Sequence, residues 1–205
     1  MSIPYRWRKL TPEQRMDLLK WRKENHQQWH RPQHRSGEGD DCYHITAACY
    51  EHAPFIGDSP ERMQDFASAL IETFMNAVAK IHAWCVLPNH YHVLAQTRGL
   101  HEMCDALGRL HGRMSFRWNG QDNARGRKTW CGVVDRFIRS ERHFWATLNY
   151  IHHKPVRHGY VEGWTDWPYS SAKNYLEVVG RDEAARVWRE FPGGDYGEGW
   201  DDAKL

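Results

Sequence analysis

The sequence lacks any apolar stretch long enough to cross a membrane, and its first ten residues, MSIPYRWRKL, lack the apolar segment of a secretory signal. Its five cysteines are scattered without a Cys-x-x-Cys pair, which argues against a structural zinc site or a disulfide framework. The mean hydropathy is −0.82 and 26% of the residues are charged. We therefore expect a soluble, cytoplasmic protein that has no membrane partner and keeps its thiols reduced.

Charge is unevenly distributed, although the net charge is only +2. Residues 109–142 contain nine Lys or Arg against three Asp or Glu, whereas residues 181–205 contain four against seven. A basic middle segment predicts a polyanionic partner. Trp118 follows Arg117, a pair that suits a nucleobase stacked beside a neutralised phosphate, while most of the 11 Trp should pack in the core.

The chain of 205 residues divides into three segments. Residues 1–41 form a predicted N-terminal extension, in which Thr11-Pro12-Glu13-Gln14 has the pattern of a capped helix start and a polar linker follows. Residues 42–178 form the main domain, and residues 179–205 form a short helix and an acidic tail. His26, His30 and His34 follow at four-residue steps, but Pro32 interrupts their helix and disfavours a metal site there.

The apolar periodicity predicts the order of elements in the main domain. Strands are expected at 42–50, on both sides of Pro88-Asn89, and at 130–139, and helices should begin at Ser59, Gly99 and Ser140. This order predicts an α+β, ferredoxin-like split βαβ sandwich with an antiparallel sheet. Two helices would cover one sheet face and leave the other face for a ligand and the third helix.

Several element boundaries follow from the same patterns. The apolar positions of the first helix extend to Val78 and Ile81, and residues 119–128 are expected to form a polar loop. The third helix should end near His153, because Pro155 disfavours a helical residue before it. After Pro155 we expect a turn-rich stretch, then a short helix at 182–189.

The segment AWCVLPNHYHVLAQ, residues 83–96, is the best candidate for chemistry. On a strand, side chains two residues apart share a face, so His90 and His92 point the same way and Tyr91 points opposite. Two neighbouring imidazoles are a ready pair of metal ligands. With 14 His in the chain a chance His-x-His is expected, but the position between two apolar runs favours a site.

Three segments together resemble the REP-associated tyrosine transposases, which belong to the single-tyrosine branch of the HUH nucleases. They are LPNHYHVL, the strand that ends in DRFIRS, and NYIHHKPVRHGYV with WPYSS behind it. The resemblance covers roughly residues 42–175. It implies a fold of the HUH endonuclease type, and the helical N-terminal extension lies outside the resemblance.

The resemblance also implies roles for particular residues. His90 and His92 match the two histidine ligands of Mg²⁺ or Mn²⁺, and Tyr150 matches the nucleophile. The residue four positions after this tyrosine is normally an Asn or Gln that supplies a third ligand. Here it is Lys154, and a protonated Lys cannot ligate a cation. His153, the neighbouring His152 or water are candidate replacements.

The implied activity is metal-dependent cleavage and strand transfer of single-stranded DNA at hairpins of REP-like palindromes, through a 5′-phosphotyrosine. We expect a monomer with single-stranded or hairpin DNA as its partner. The candidate DNA contacts are basic residues with one aromatic: Arg109, Arg113, Arg117, Trp118, Arg125, Arg127, Lys128 and Arg157. Lys154 motivates an alternative, a catalytically weakened hairpin-binding protein. A lesser alternative is a small-molecule metallohydrolase that uses the two histidines.

Overall fold

The computed structural model describes residues 39–77 and 79–193, and residues 11, 13, 14, 16, 17 and 20. Two compact units are formed, one by residues 1–33 with 197–205 and one by residues 34–196. In the first unit Thr11 N donates to Gln14 Oε1 at 2.9 Å and Gln14 N donates to Thr11 Oγ1 at 3.3 Å, which confirms the capping box. His26, His30, His34 and the acidic tail lie outside the described residues. The segment boundaries at 41 and 179 stay predictions.

The second unit holds one antiparallel sheet with its strands in the order β2-β3-β1-β4. This order is that of a ferredoxin-like split βαβ sandwich, so the predicted fold class is confirmed. Among the described residues, no helix is both long and apolar enough to span a membrane. The main elements are β1 (Asp41–Ala48), α1 (Pro60–Asn76), β2 (Lys80–Leu87), β3 (His90–Thr97), α2 (Leu100–Gln121), β4 (Val134–Phe137), α3 (Glu141–Arg157), α4 (Ala172–Val179) and α5 (Arg181–Glu190).

Serine caps start two of the helices where the sequence predicts them. Ser59 Oγ accepts a hydrogen bond from Arg62 N at the start of α1, and Ser140 Oγ accepts one from His143 N at the start of α3. Each bond satisfies a backbone donor that the first helical turn leaves without an intrahelical acceptor. The caps therefore fix where both helices begin.

The two faces of the sheet carry different side chains. Tyr43, Ile45, Tyr91 and Val93 point to one face and join the main core with the buried residues of α1 and α2. The alternate residues of β1 and β3 point to the other face, where α3 lies against β2 and β3. The helix α3 therefore packs on the sheet face opposite α1 and α2, and α4 also contacts β2.

Some predicted boundaries are wrong. The helix α1 ends at Asn76, so Ile81 lies on β2 instead, and Val78 is outside the described residues. The helix α2 continues to Gln121 because Trp118 and Asn119 are buried, which shortens the predicted loop at 119–128.

The third helix and the segment after it also differ from the prediction. The helix α3 continues through Pro155 to Arg157, and both Lys154 and Pro155 are buried. Tertiary packing of this last turn outweighs the hydrogen bond that proline cannot donate. Part of the stretch predicted as turn-rich forms α4.

We predict that Asp122→Asn destabilises the fold, because Asp122 binds both Arg62 and Arg127, at 2.7 and 2.6 Å. Hydrogen bonds from Arg62 lower the pKa of this carboxyl to about 2, and Arg127 contributes. The loss should be about 1–3 kcal/mol at neutral pH. It should be complete above about pH 4, the range of an unfolded carboxyl, and vanish as the pH falls towards 2. Urea denaturation at several pH values measures it.

The matched control is Asp65→Asn, which removes an exposed pair with Arg117. Its effect should stay below about 1 kcal/mol. Equal losses in the two variants, or a loss at Asp122 that does not change with pH, would contradict this account.

Candidate active site

Two neighbouring strands place three histidines on the sheet face that α3 covers. In the β1–β3 register Thr46 lies opposite His92 and Ala48 lies opposite His90, while His44 lies opposite Leu94, two residues before Thr46. Because alternate residues share a face, His44, His90 and His92 all point towards α3. The rings of His90 and His92 lie edge to face, with centroids 5.0 Å apart.

A hydrogen bond in the β2–β3 turn orients His90. Asn89 Oδ1 lies 2.6 Å from His90 Nδ1, and Asn89 Nδ2 donates to the carbonyl oxygen of His52 at 3.0 Å. Because the amide nitrogen is engaged at His52, the atom that faces His90 is an acceptor, and His90 Nδ1 must donate. His90 then offers the lone pair of Nε2.

A histidine from the neighbouring strand orients His92. His44 Nε2 lies 3.0 Å from His92 Nδ1, and the two ring centroids are 5.1 Å apart. His44 has 0% of its surface exposed and His92 has 1%. Each histidine of the His-Tyr-His motif therefore has its Nδ1 within hydrogen-bonding distance of a buried or half-buried polar side chain.

The side chain of Tyr150 packs against these histidines from α3. Its ring centroid lies 5.4 Å from that of His92 and 5.8 Å from that of His44, both nearly edge to face. Tyr150 is 1% exposed, so it is a buried residue of the site. Its burial distinguishes it from an exposed rim residue of an amphipathic helix.

Two cations follow Tyr150 along α3. Lys154 Nζ lies 4.6 Å from the centre of the Tyr150 ring, and the guanidinium carbon of Arg157 lies 5.7 Å from it. Lys154 is 4% exposed, and its Nζ is 3.5 Å from His158 Nε2. Spacing of four residues puts Tyr150, Lys154 and His158 on one helix face.

These contacts form a closed circle of side chains. The ring of His158 lies edge to face with that of His90, with centroids 5.1 Å apart. Lys154 is therefore linked through His158 to the His-Tyr-His motif. The circle joins an aromatic hydroxyl, an ammonium group and imidazoles within one sheet–helix interface. Such a group of residues can position a phosphate, neutralise its charge and deliver a nucleophile to it.

Comparison with known proteins identifies the family of the chain. The chain is 30% identical over 152 residues to a Haemophilus influenzae protein named as a REP-associated tyrosine transposase, and the match covers 65% of this chain and 77% of that protein. The chain belongs to the REP-associated tyrosine transposases. No protein-family model matches it.

One solved structure resembles the fold of this chain, and a second is less similar. A REP-associated tyrosine transposase bound to a REP hairpin has a TM-score of 0.55 and 18% identity, over 71% of this chain and 86% of that chain. A transposase structure from Deinococcus radiodurans has a TM-score of 0.40 and 16% identity, over 60% and 97%. The first likeness supports the fold, and we draw nothing from the second.

The histidine pair of this transposase fits a divalent ion only as a two-imidazole site. Within residues 39–77 and 79–193, no group of three or more His, Cys, Asp or Glu is arranged to hold a metal ion. The Nδ1 contact of His90 leaves Nε2 as its ligating atom, and His92 offers the same atom if its Nδ1 donates to His44. Phosphate or water oxygens would have to complete the coordination, as is usual for Mg²⁺.

The two candidate replacement ligands lie elsewhere. His152 Nε2 is 2.9 Å from Ser171 Oγ, and burial lowers the pKa of His152 to about 3. His153 donates from Nδ1 to the carbonyl oxygen of Asn149, and its ring stacks on Trp188 with centroids 3.7 Å apart. Both histidines therefore have structural contacts away from the His-Tyr-His motif.

The structure separates most of the predicted DNA contacts from Tyr150. Arg109, Arg113 and Arg117 lie on α2, on the opposite side of the sheet, and the first two line a cavity of about 350 Å³. Trp118 is 1% exposed in the core, so the prediction that it stacks on a base is wrong. Its apolar contacts outweigh the basic neighbour that suggested exposure.

The basic loop after α2 makes contacts within the chain. Arg125 stacks on Phe116 and Arg127 on Phe55, both at 4.2 Å, while Lys128 Nζ lies 4.4 Å from the ring of Tyr50. Arg157 is the predicted contact residue that the structure places beside Tyr150.

Sequence reasoning missed three residues of the site. His44 is a polar residue on β1. The sequence does not show that β1 pairs with β3, so it does not show that His44 lies near His92. The sequence pattern marks Asn89 only as a residue of the turn between two strands. His158 lies four residues after Lys154. The predicted end of the third helix near His153 hides this helical spacing.

We predict that His152→Gln makes the stability less dependent on pH. The pKa of His152 is lower in the fold than in the unfolded chain, so its contribution is present above about pH 6.5 and is lost as the pH falls towards 3. The variant should lack this loss, with a slope shallower by up to about 1.4 kcal/mol per pH unit. Chemical denaturation between pH 4 and 7 measures the slope. The exposed His101→Gln is the control, and an unchanged slope in both variants would refute the assignment.

Proposed function

We propose that the chain cleaves and rejoins single-stranded DNA at hairpins of palindromic DNA, through a covalent 5′-phosphotyrosine at Tyr150. The single observation that carries the proposal is the packing of the Tyr150 ring against His92, on the sheet face that also holds His90. A relative by fold is bound to a REP hairpin, which supports the choice of substrate. We also propose that the chain acts as a monomer.

The first step exchanges one phosphate ester for another. The phenolic oxygen of Tyr150 attacks the scissile phosphorus, an O–P bond forms to the tyrosine, and the bond from phosphorus to the 3′ oxygen breaks. The phenol loses its proton and the departing 3′ oxygen gains one, so a free 3′-hydroxyl remains. Attack by a 3′-hydroxyl on the phosphotyrosine reverses the step and joins strands.

In this proposal His90 and His92 hold Mg²⁺ or Mn²⁺ through Nε2. The bound ion would supply Lewis-acid polarisation of a phosphate oxygen. Asn89 and His44 act on the outer nitrogens of the two rings, which keeps each ring in place. The protein therefore supplies pre-arranged ligands, whereas oxygen atoms of the DNA fill the remaining positions.

Lys154 and Arg157 contribute positive charge at the nucleophile. An unperturbed tyrosine has a pKa of about 10 and is mostly un-ionised at neutral pH. Cations over its ring oppose the negative charge that the phosphate carries during attack, and they act more strongly where water is excluded. We propose that Lys154 serves in this way where relatives use an amide ligand.

The basic residues on and after α2 serve the DNA outside the cleavage site in this proposal. Arg109, Arg113 and Arg117 lie across the sheet from Tyr150, so they would contact phosphates of a hairpin stem and not the scissile phosphate. Arg157 would contact the strand at the site. Phosphate contacts of this kind bring a strong salt dependence.

A hairpin-binding protein with weakened catalysis is the second candidate. Its motivation is Lys154, whose ammonium group near Tyr150 and His158 would oppose a divalent cation bound nearby. It would retain salt-dependent hairpin affinity without forming a covalent product. The small-molecule metallohydrolase finds little support. Among the described residues, no carboxylate or further histidine joins His90 and His92 as a third metal ligand.

We predict a covalent protein–DNA product when the chain meets a labelled single-stranded hairpin from its own chromosomal flanks with Mn²⁺. Denaturing gel electrophoresis should show the product in wild type and in Lys154→Asn, and lose it in Tyr150→Phe. The Tyr150→Phe variant should fold normally, because its ring keeps the same buried contacts. The control Arg109→Gln, across the sheet, should reduce affinity and spare the covalent step.

The other outcomes separate the candidates. A product that forms only in Lys154→Asn would identify a binding protein disabled at its third ligand position. Absence of product from every folded variant, with a hairpin shown to bind, would refute the nuclease proposal.

A further inference from the structure

His44 lies on β1, outside the His-Tyr-His motif, yet it contacts both principal residues of the site. Its Nε2 is 3.0 Å from Nδ1 of His92. Its ring centroid is 5.8 Å from that of Tyr150. With 0% of its surface exposed, His44 is buried together with both residues.

The hydrogen bond between His44 Nε2 and His92 Nδ1 contains one proton. One of the two nitrogens donates it and the other accepts it through its lone pair. If His92 Nδ1 donates to His44, then His92 Nε2 offers a lone pair to the metal side. If His44 donates, His92 carries its proton on Nε2 and cannot ligate a cation there. The direction of this one bond decides whether His92 is a ligand.

The contacts of Asn89 fix the tautomer of the neighbouring ligand, His90. Asn89 presents its carbonyl oxygen to His90 Nδ1, since its amide nitrogen donates to the His52 carbonyl. His90 is therefore fixed as the Nδ1-protonated form. A matched pair of ligands requires the same form at His92, with His44 as the acceptor.

No closer residue on β1 replaces His44 in this role. Thr46 is directly opposite His92 in the register. Its hydroxyl donates to the backbone carbonyl of Tyr91 at 2.6 Å, so it is directed at the backbone. The diagonal position of His44 brings its ring to Nδ1 of His92 instead.

We propose that His44 is a positioning residue that accepts a hydrogen bond from His92 Nδ1 and so holds His92 Nε2 in the ligating state. The inference rests on the proposed function, because it assigns His92 as a ligand of a divalent ion. It adds a positioning residue from a strand that the His-Tyr-His motif does not include. Its effect is on the tautomer and orientation of His92, and not on the tyrosine chemistry itself.

The direct test is the tautomer of His92, read from the ¹⁵N chemical shifts of its ring in metal-free protein at neutral pH. Wild type should show a protonated Nδ1 and an unprotonated Nε2. His44→Leu, which removes the acceptor, should shift the equilibrium towards the Nε2-protonated form. His44→Gln, which keeps a side-chain oxygen as acceptor, should restore much of the wild-type signal.

Mn²⁺ affinity, measured by calorimetry without DNA, gives the second readout. His44→Leu should weaken binding 10–100-fold, the usual cost of losing an outer partner of a ligating histidine, and His44→Gln should recover part of it. Thr46→Val is the matched control on the same strand face, and it should leave the affinity unchanged. Folding of each variant is checked by thermal denaturation.

The result that overturns the inference is a wild-type His92 protonated on Nε2, or a folded His44→Leu variant with wild-type Mn²⁺ affinity. Failure of the proposed function looks different. If the tautomer and the Mn²⁺ affinity respond as expected while no DNA adduct forms, the positioning role stands and the cleavage proposal falls.

Discussion

The whole site depends on the antiparallel register between β1 and β3. It pairs Thr46 with His92 and Ala48 with His90, and this places His44 beside the His-Tyr-His motif on one face. A slip of one residue would turn His90 and His92 into the core and bring Tyr91 to the α3 side. Tyr91 is itself fully buried against Phe66 and His111 in the core, so the apolar face strongly disfavours such a slip.

A second constraint is the helix that covers the histidines. The face of α3 at positions 150, 154 and 158 is polar and cationic, and it packs against imidazoles instead of apolar residues. Burying Lys154 beside these rings costs solvation free energy that a purely structural helix would avoid. Buried ionisable groups cluster at functional sites, and this supports the proposal that α3 carries the nucleophile.

The sheet order, the capped helix starts and the positions of His90, His92 and Tyr150 followed from periodicity and from the family resemblance. These features depend on local patterns: alternation on strands, Ser at a cap and spacing along a helix. His44 could not be found in this way, because its role depends on a neighbour from another strand. The prediction for Trp118 was wrong for the same kind of reason, since only the packed core shows that the aromatic side chain beside Arg117 is buried.

The central claim is that Tyr150 forms the covalent bond to DNA. The most direct measurement is mass spectrometry of the peptide that carries the nucleotide after the protein reacts with hairpin DNA and is digested. The account predicts that the added mass of a 5′-phosphorylated nucleotide lies on the α3 peptide, at Tyr150. A nucleotide attached to any other residue, or reaction products with no covalent peptide at any time, would contradict it.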